Sequence, residues 1–247
     1  IQMADIDLSG YENWEPIGNR ATRFTGVYNG NHFVIKNLSI NRPDEEIIGL
    51  FGRTDKATLK NIALLRINIA GQDYTGGLVG IPDFSTITNC SVEGNLTGAN
   101  YVGLLSGWSY FSQFNQCNAK GTINGDMVIG GLLGRAVHDI ISDCYAHVQV
   151  TAYMYCGGLI GANSAISITN CYSCGNVPVP EEPWAATGGG LIGQTSQDAV
   201  ITNSYYDTQT SGQSDTGKGE PRTTAEMKTQ STYTDWDFET IWAIDPA

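Results

Sequence analysis

The chain has 247 residues with 30 glycines, 15% charged residues and a net charge of −12 at pH 7. The length allows one sizeable core or one long repeat array. The acidic balance argues against nucleic-acid binding, which needs a basic surface, and the chain lacks the run of about 18 apolar residues that a membrane-spanning helix requires.

The chain opens on "IQMADIDLSG", which has neither a basic n-region nor an apolar h-region, so no signal peptide is visible. No initiator Met is present either, and the true start is expected to have been removed or to lie upstream. Residues 1–44 contain no G-L-x-G block. They are expected to form an N-terminal coil and cap, with Trp14 and Phe24 as its plug.

From residue 45 to residue 207 a period takes over. The last glycine of each G-L-x-G-like block falls at Gly52, Gly80, Gly107, Gly134, Gly161 and Gly193, with steps of 28, 27, 27, 27 and 32. Cys90, Cys117, Cys144 and Cys171, closing "ITNC", "FNQC", "ISDC" and "ITNC", keep the same 27-residue step. A five-residue insertion in "VPVPEEPWAAT" explains the longer step. A phosphate-cradling glycine loop would occur once, whereas a fixed period without helical patterning reads as one turn of a solenoid per unit.

Alternation within a unit has period two, and coils stacked about 4.8 Å apart place equivalent side chains over one another. The interior is expected to hold a cysteine ladder (Cys90, Cys117, Cys144, Cys171), with Ile62 before it and Ser204 after it. Leu50, Leu78, Leu105, Leu132, Leu159 and Leu191 form a second ladder. Asn61, Asn89, Gln116, Asp143, Asn170 and Asn203 are expected to form a polar ladder bonding the backbone of a corner. Leu104 replaces a glycine in "VGLLSG" and predicts a differently shaped corner there.

Residues 208–247 depart from the repeat. "TTAEMKTQ" offers a capping box from Thr223 to Glu226 for a short helix. "TDWDFETIWAI" brings Trp236, Phe238, Ile241 and Trp242 as apolar cover for the last coil. No linker interrupts residues 1–247. The reading is one all-β domain, a parallel β-helix of about seven coils and about 34 Å of stacked rungs, capped at both ends.

"YTGGLVG", "VIGGLLG" and "CGGLIG", each followed by a short polar stretch and "ITNC" or "ISDC", resemble the GLUG repeat. That repeat occurs in bacterial surface proteins, including adhesin-like proteins and large metallopeptidases that cleave immunoglobulin A. The resemblance covers residues 45–207 and extends to both flanks. It implies a parallel β-helix in a secreted or cell-surface bacterial protein, part of a larger surface protein, and it implies no defined activity.

Candidate chemistry is sparse. Three histidines (His32, His138, His147) and no H-E-x-x-H leave no zinc-peptidase site, and His138 reads as part of a polar turn. The ladder cysteines read as small buried hydrophobes, with Cys174 outward beside Glu93, Lys120 and His147 of other coils. No catalytic residues, metal or cofactor are expected. A carbohydrate-active β-helix enzyme is the alternative, but no paired carboxylates were found at equivalent positions of adjacent coils. An ice-binding row is suggested only by Thr86 and Thr88 and is too irregular later. Exposed aromatics remain: Tyr74, Tyr101 and Tyr155 at one outward rung position interrupted by Val128, Trp108, Tyr110 and Phe111 in a turn, and Trp184 in the insertion. Such rings stack on sugars or anchor proteins, so the expected partner is a glycan or an extracellular or host protein.

Overall fold

The computed structural model describes residues 1–178 and 188–244. Each full coil has four straight sides. In one coil the chain runs through Ser91–Thr97, Asn100–Gly103, Ser106–Tyr110 and Gln113–Asn115 before the next coil begins at Asn118. Every strand pairs in parallel with its equivalent one coil away, as in Ser106↔Leu133 and Leu133↔Ile160. We call these sides the long, glycine, aromatic and short faces, and among the described residues they carry ten, five, six and seven strands respectively. These unequal numbers correspond to about six full turns rather than seven, because the end segments complete only some faces.

The period fails by one residue between the first two units, and the long face shows where. Leu64 pairs with Val92 and Leu65 with Glu93, but Gly94 pairs with Ile67. Arg66 is therefore the extra residue of a β-bulge, held at φ 57°. That bulge accounts for the 28-residue step from Gly52 to Gly80, and it keeps Ile67 and Ile69 facing the core.

Both apolar ladders are interior. Leu50, Leu78, Leu105, Leu132, Leu159 and Leu191 are buried, as are Cys90, Cys117, Cys144 and Cys171 with Ile62 and Ser204 at the ends of their column. All six cysteines are free thiols. The ladder thiols do a local job: Cys90, Cys117, Cys144 and Cys171 each donate to the carbonyl two residues earlier, at 3.1–3.3 Å. Ser204 does the same at 2.8 Å and accepts the Cys171 N–H. A weak S–H donor thus serves where valine would leave that carbonyl without this bond. Burial raises the Cys90 and Cys144 thiols well above their ordinary range.

Asn61, Asn89, Gln116, Asp143, Asn170 and Asn203 all have positive φ, between 45° and 54°, where Asn and Asp are favoured over most residues. Their side chains do not bond corner backbone, as the sequence suggested. Asn89 donates to Asn61, Asn61 to Asn29 and Asn170 to Asp143, along the stack. The corner at Leu104 also keeps the common backbone, donating to Gly131 and accepting from Gly77. A Cβ at Gly77 would lie 2.7 Å from Val92. The matching partner of Leu104 is Ala119, fifteen residues on in both coils, and the buried Leu104 side chain takes up that space.

At the N-terminal end Trp14 and Phe24 pack against the core, with Phe24 5.0 Å from Phe51 between ring centroids. The C-terminal end divides its labour. Glu220–Arg222 adds a parallel strand to the long face beside Tyr205–Asp207. Lys218 Nζ donates to the carbonyls of Gly188 and Gly193, and Asp215 accepts the Gly190 N–H. Thr223 and Glu226 form the expected capping box of the helix Thr224–Met227. The aromatic tail does more than cover the last coil. Trp236 and Trp242, 4.4 Å apart, run along the outer long face against Tyr205, Tyr172 and Tyr145.

Candidate functional site

The aromatic face is built from Phe51–Asp55, Val79–Asp83, Ser106–Tyr110, Leu133–Val137, Ile160–Ser164 and Ile192–Gln194. Strand alternation sends two side chains per rung outward. One column reads Arg53, Ile81, Trp108, Arg135 and Ala162, and the other Asp55, Asp83, Tyr110, Val137 and Ser164. Trp108 and Tyr110 therefore lie in a strand, not in the turn expected from the sequence; only Phe111 is at the corner. The misleading signal was the inner row, where Ser109 is buried and polar.

Left-handed backbone recurs on both sides of this face. Tyr101, Val128 and Tyr155, inside the glycine-face strands, and Tyr74 just before one have φ of 52–61°, and the corner residues Phe84, Phe111, His138 and Ala165 have φ of 47–55°. The conformation belongs to the architecture, since Lys56 and Ala165 share it, but bulky side chains there are uncommon. Phe84 and Phe111 are 50% and 43% exposed, so core burial does not account for their presence.

The rings form a trough. On one side Tyr74 and Tyr101 stack 5.3 Å apart and 3° from parallel, and Trp108 leans on both at 5.4 and 5.0 Å. On the other, Phe84 and Phe111 stack at 5.3 Å and His138 continues the stack 4.5 Å from Phe111. His138 therefore joins an aromatic column rather than a polar turn. Tyr110 meets Phe111 edge-on at 4.5 Å. A cavity of 290 Å³ opens between Arg20, Arg53, Tyr74, Ile81, Asp83, Trp108 and Tyr110. Burial, with Tyr101 and Asp73 nearby, raises the Tyr74 phenol above its ordinary value.

The sequence reading missed Asp55 and Asp83, which are register partners on adjacent coils. Their 28-residue separation was legible, being the same as that from Gly52 to Gly80. Both are engaged by guanidinium groups. Arg53 donates through Nε to Asp83 Oδ2 at 2.8 Å, with Nη2 in ion-pair contact with the same oxygen, and one Arg23 nitrogen lies 3.4 Å from Asp55 and 3.5 Å from Asp83. It also missed Arg135, whose guanidinium carbon lies 5.4 Å from the Trp108 ring centroid.

Of the residues singled out from sequence, Tyr74, Tyr101, Trp108, Tyr110 and Phe111 converge on this trough. Tyr155 stands further along the column of Tyr74 and Tyr101, beyond Val128. Trp184 lies outside the described residues. Glu93, Lys120 and His147 are exposed in one column on the long face; Cys174 is half-buried, and burial raises its thiol to about 11. Among the described residues no cluster of three or more His, Cys, Asp or Glu could hold a metal, and no helix is long and apolar enough to cross a membrane.

Residues 71–97 match the GLUG motif. A stretch of 70 residues is 49% identical to a protein named as a Gly-rich membrane protein in Evansella cellulosilytica, covering 26% of this chain and 8% of that protein. Another of 86 residues is 41% identical to a halomucin of Haloquadratum walsbyi, covering 31% of this chain and 1% of the relative. The matches thus span a small part of either relative's length. The fold resembles the crystal structure of a candidate immunoglobulin A1 protease from Bacteroides ovatus, with a TM-score of 0.69 at 18% identity over 95% of this chain and 79% of the other.

Proposed function

We propose that this β-solenoid, which carries the GLUG motif and repeats it in register, is a cell-surface or secreted module that binds a glycan or an extracellular protein without transforming it. The aromatic trough carries this reading. Partly exposed rings flank Trp108 on both sides, and neighbouring coils hold them in register on a rigid support. Aromatic faces spaced by the coil repeat suit sugar rings or an extended chain laid across the rungs. A scaffold already ordered loses little entropy on binding. The relatives named as a membrane protein and a halomucin support a surface setting.

The paired Asp55 and Asp83 keep a glycosidase as the second reading, because such enzymes act through two carboxyl groups. Their engagement by Arg23 and Arg53 favours an ion-pair network over a free acid and base. One experiment addresses both. Screening the chain on a glycan array, then incubating it with each bound glycan and assaying new reducing ends, should give binding without cleavage. Release of reducing ends would overturn the non-catalytic reading. Absence of any glycan hit would leave a protein partner as the trough's ligand.

A further inference from the structure

Arg135 is unusual among the arginines of this face. Arg20, Arg23 and Arg53 pair with Glu46, Asp55 and Asp83. Among the described residues Arg135 has no ion pair and no side-chain hydrogen bond. Its guanidinium lies over the Trp108 ring, and its Nε is buried without an acceptor. A half-buried guanidinium normally finds a carboxylate or a carbonyl. In a chain of net charge −12, with 25 acidic residues available, leaving this one without any is informative.

The surroundings give the vacant partner a place. Arg135 sits between Trp108 and Ala162 in its column. At its rung the tyrosine column of the glycine face is interrupted by the smaller Val128, which is buried, with Tyr101 on one side and Tyr155 on the other. Across the face, Val137 and the exposed His138 border the same rung. Arg135 is thus bordered by rings and small apolar groups, and among the described residues no carboxylate is in ion-pair contact with it. Such a fork, stacked on an aromatic ring, accepts an oxyanion through two parallel N–H bonds.

Building on the trough as a glycan site, we propose that its ligand is an acidic oligosaccharide whose anionic group pairs with Arg135 while neighbouring sugar rings lie on Trp108 and the tyrosines. The shared chemistry is a planar or tetrahedral oxyanion on a sugar, supplied either by a uronic-acid carboxylate or by a sulfate ester.

Three immobilised polymers test this: polygalacturonate, its fully methyl-esterified form and a sulfated galactan. The wild-type chain should bind polygalacturonate or the sulfated galactan at least about tenfold more tightly than the neutral ester. Which polyanion is retained distinguishes carboxylate from sulfate. Adventitious attraction is disfavoured, since a protein of this charge repels polyanions. Arg135→Gln should abolish the preference without lowering the melting temperature, and Arg135→Lys should keep part of it. Equal binding of neutral and acidic polymers would overturn the inference while leaving the glycan site standing; so would Arg135→Gln that binds like wild type. Failure of every polymer and of the glycan array would bring down both. The wild-type comparison decides even if the Gln variant does not fold.

Discussion

A single buried carboxyl shows how closely stability follows individual residues. Asp139 is 1% exposed, and accepts from the Ser112 N–H at 2.7 Å, the Val137 N–H at 3.1 Å and the Ser109 hydroxyl. Burial dominates these bonds and raises its pKa to about 7, against about 3.9 for an unfolded Asp. The folded state therefore holds the proton more tightly. The contribution is fully present below about pH 4 and is lost as pH rises towards about 7, at up to about 1.4 kcal/mol per pH unit. Asp139→Asn should remove that dependence. Melting curves from pH 4 to 7 should show the variant gaining on the wild type as pH rises; a constant offset between them would contradict this. The thiols give a second residue-scale expectation. Cys174 is half-buried while the other five are fully buried, so native alkylation should reach Cys174 first. Rapid labelling of the ladder cysteines would contradict their interior placement.

At the scale of elements, the leucine ladder is the most direct consequence of the repeat. Leu132 is buried between Leu105 and Leu159, and Leu132→Asp places an unpaired charge there. The desolvation cost, several kcal/mol or more, is comparable with the stability of a whole domain, so the variant should lose its β circular dichroism. A wild-type melt would refute the ladder. The ladders were legible because position in the period sets which side chains stack. The trough was only half legible: Trp108, Tyr110 and Phe111 stood out as rings, but Ser109 inside hid the strand that carries two of them. Phe84 went unnoticed and His138 was read as part of a polar turn, because each is unremarkable until its 27-residue neighbour is placed beside it. The C-terminal strap that carries Trp236 and Trp242 was only partly legible, because its aromatics meet the outer side of three coils, which no local pattern encodes. Trp242→Ala removes contacts with Trp236 and Tyr172 and a bond to Asp143. It should speed amide exchange in residues 223–244 with little effect on the central coils. Uniformly faster exchange across the chain would show that the strap supports the whole stack.

For the whole molecule, the solenoid is a rigid ruler: neighbouring coils fix side chains at the strand spacing, and specificity rests on which residues occupy a face. The rings of the long face pack beneath the C-terminal tail, whereas Phe84 and Phe111 beside the aromatic face stay half exposed. That separation of support from site is the central claim, and the double variant Trp108→Ala, Phe111→Ala tests it most directly. Its melting temperature and its retention on the ligands found by the glycan array should be measured together. The expected result is a melting temperature within a few degrees of wild type, since Phe111 is half exposed and Trp108 stands outside the core, with binding lost. A sharp fall in melting temperature, or unchanged retention on the ligand, would show that the rings pack the sheet and that the trough is not the binding face.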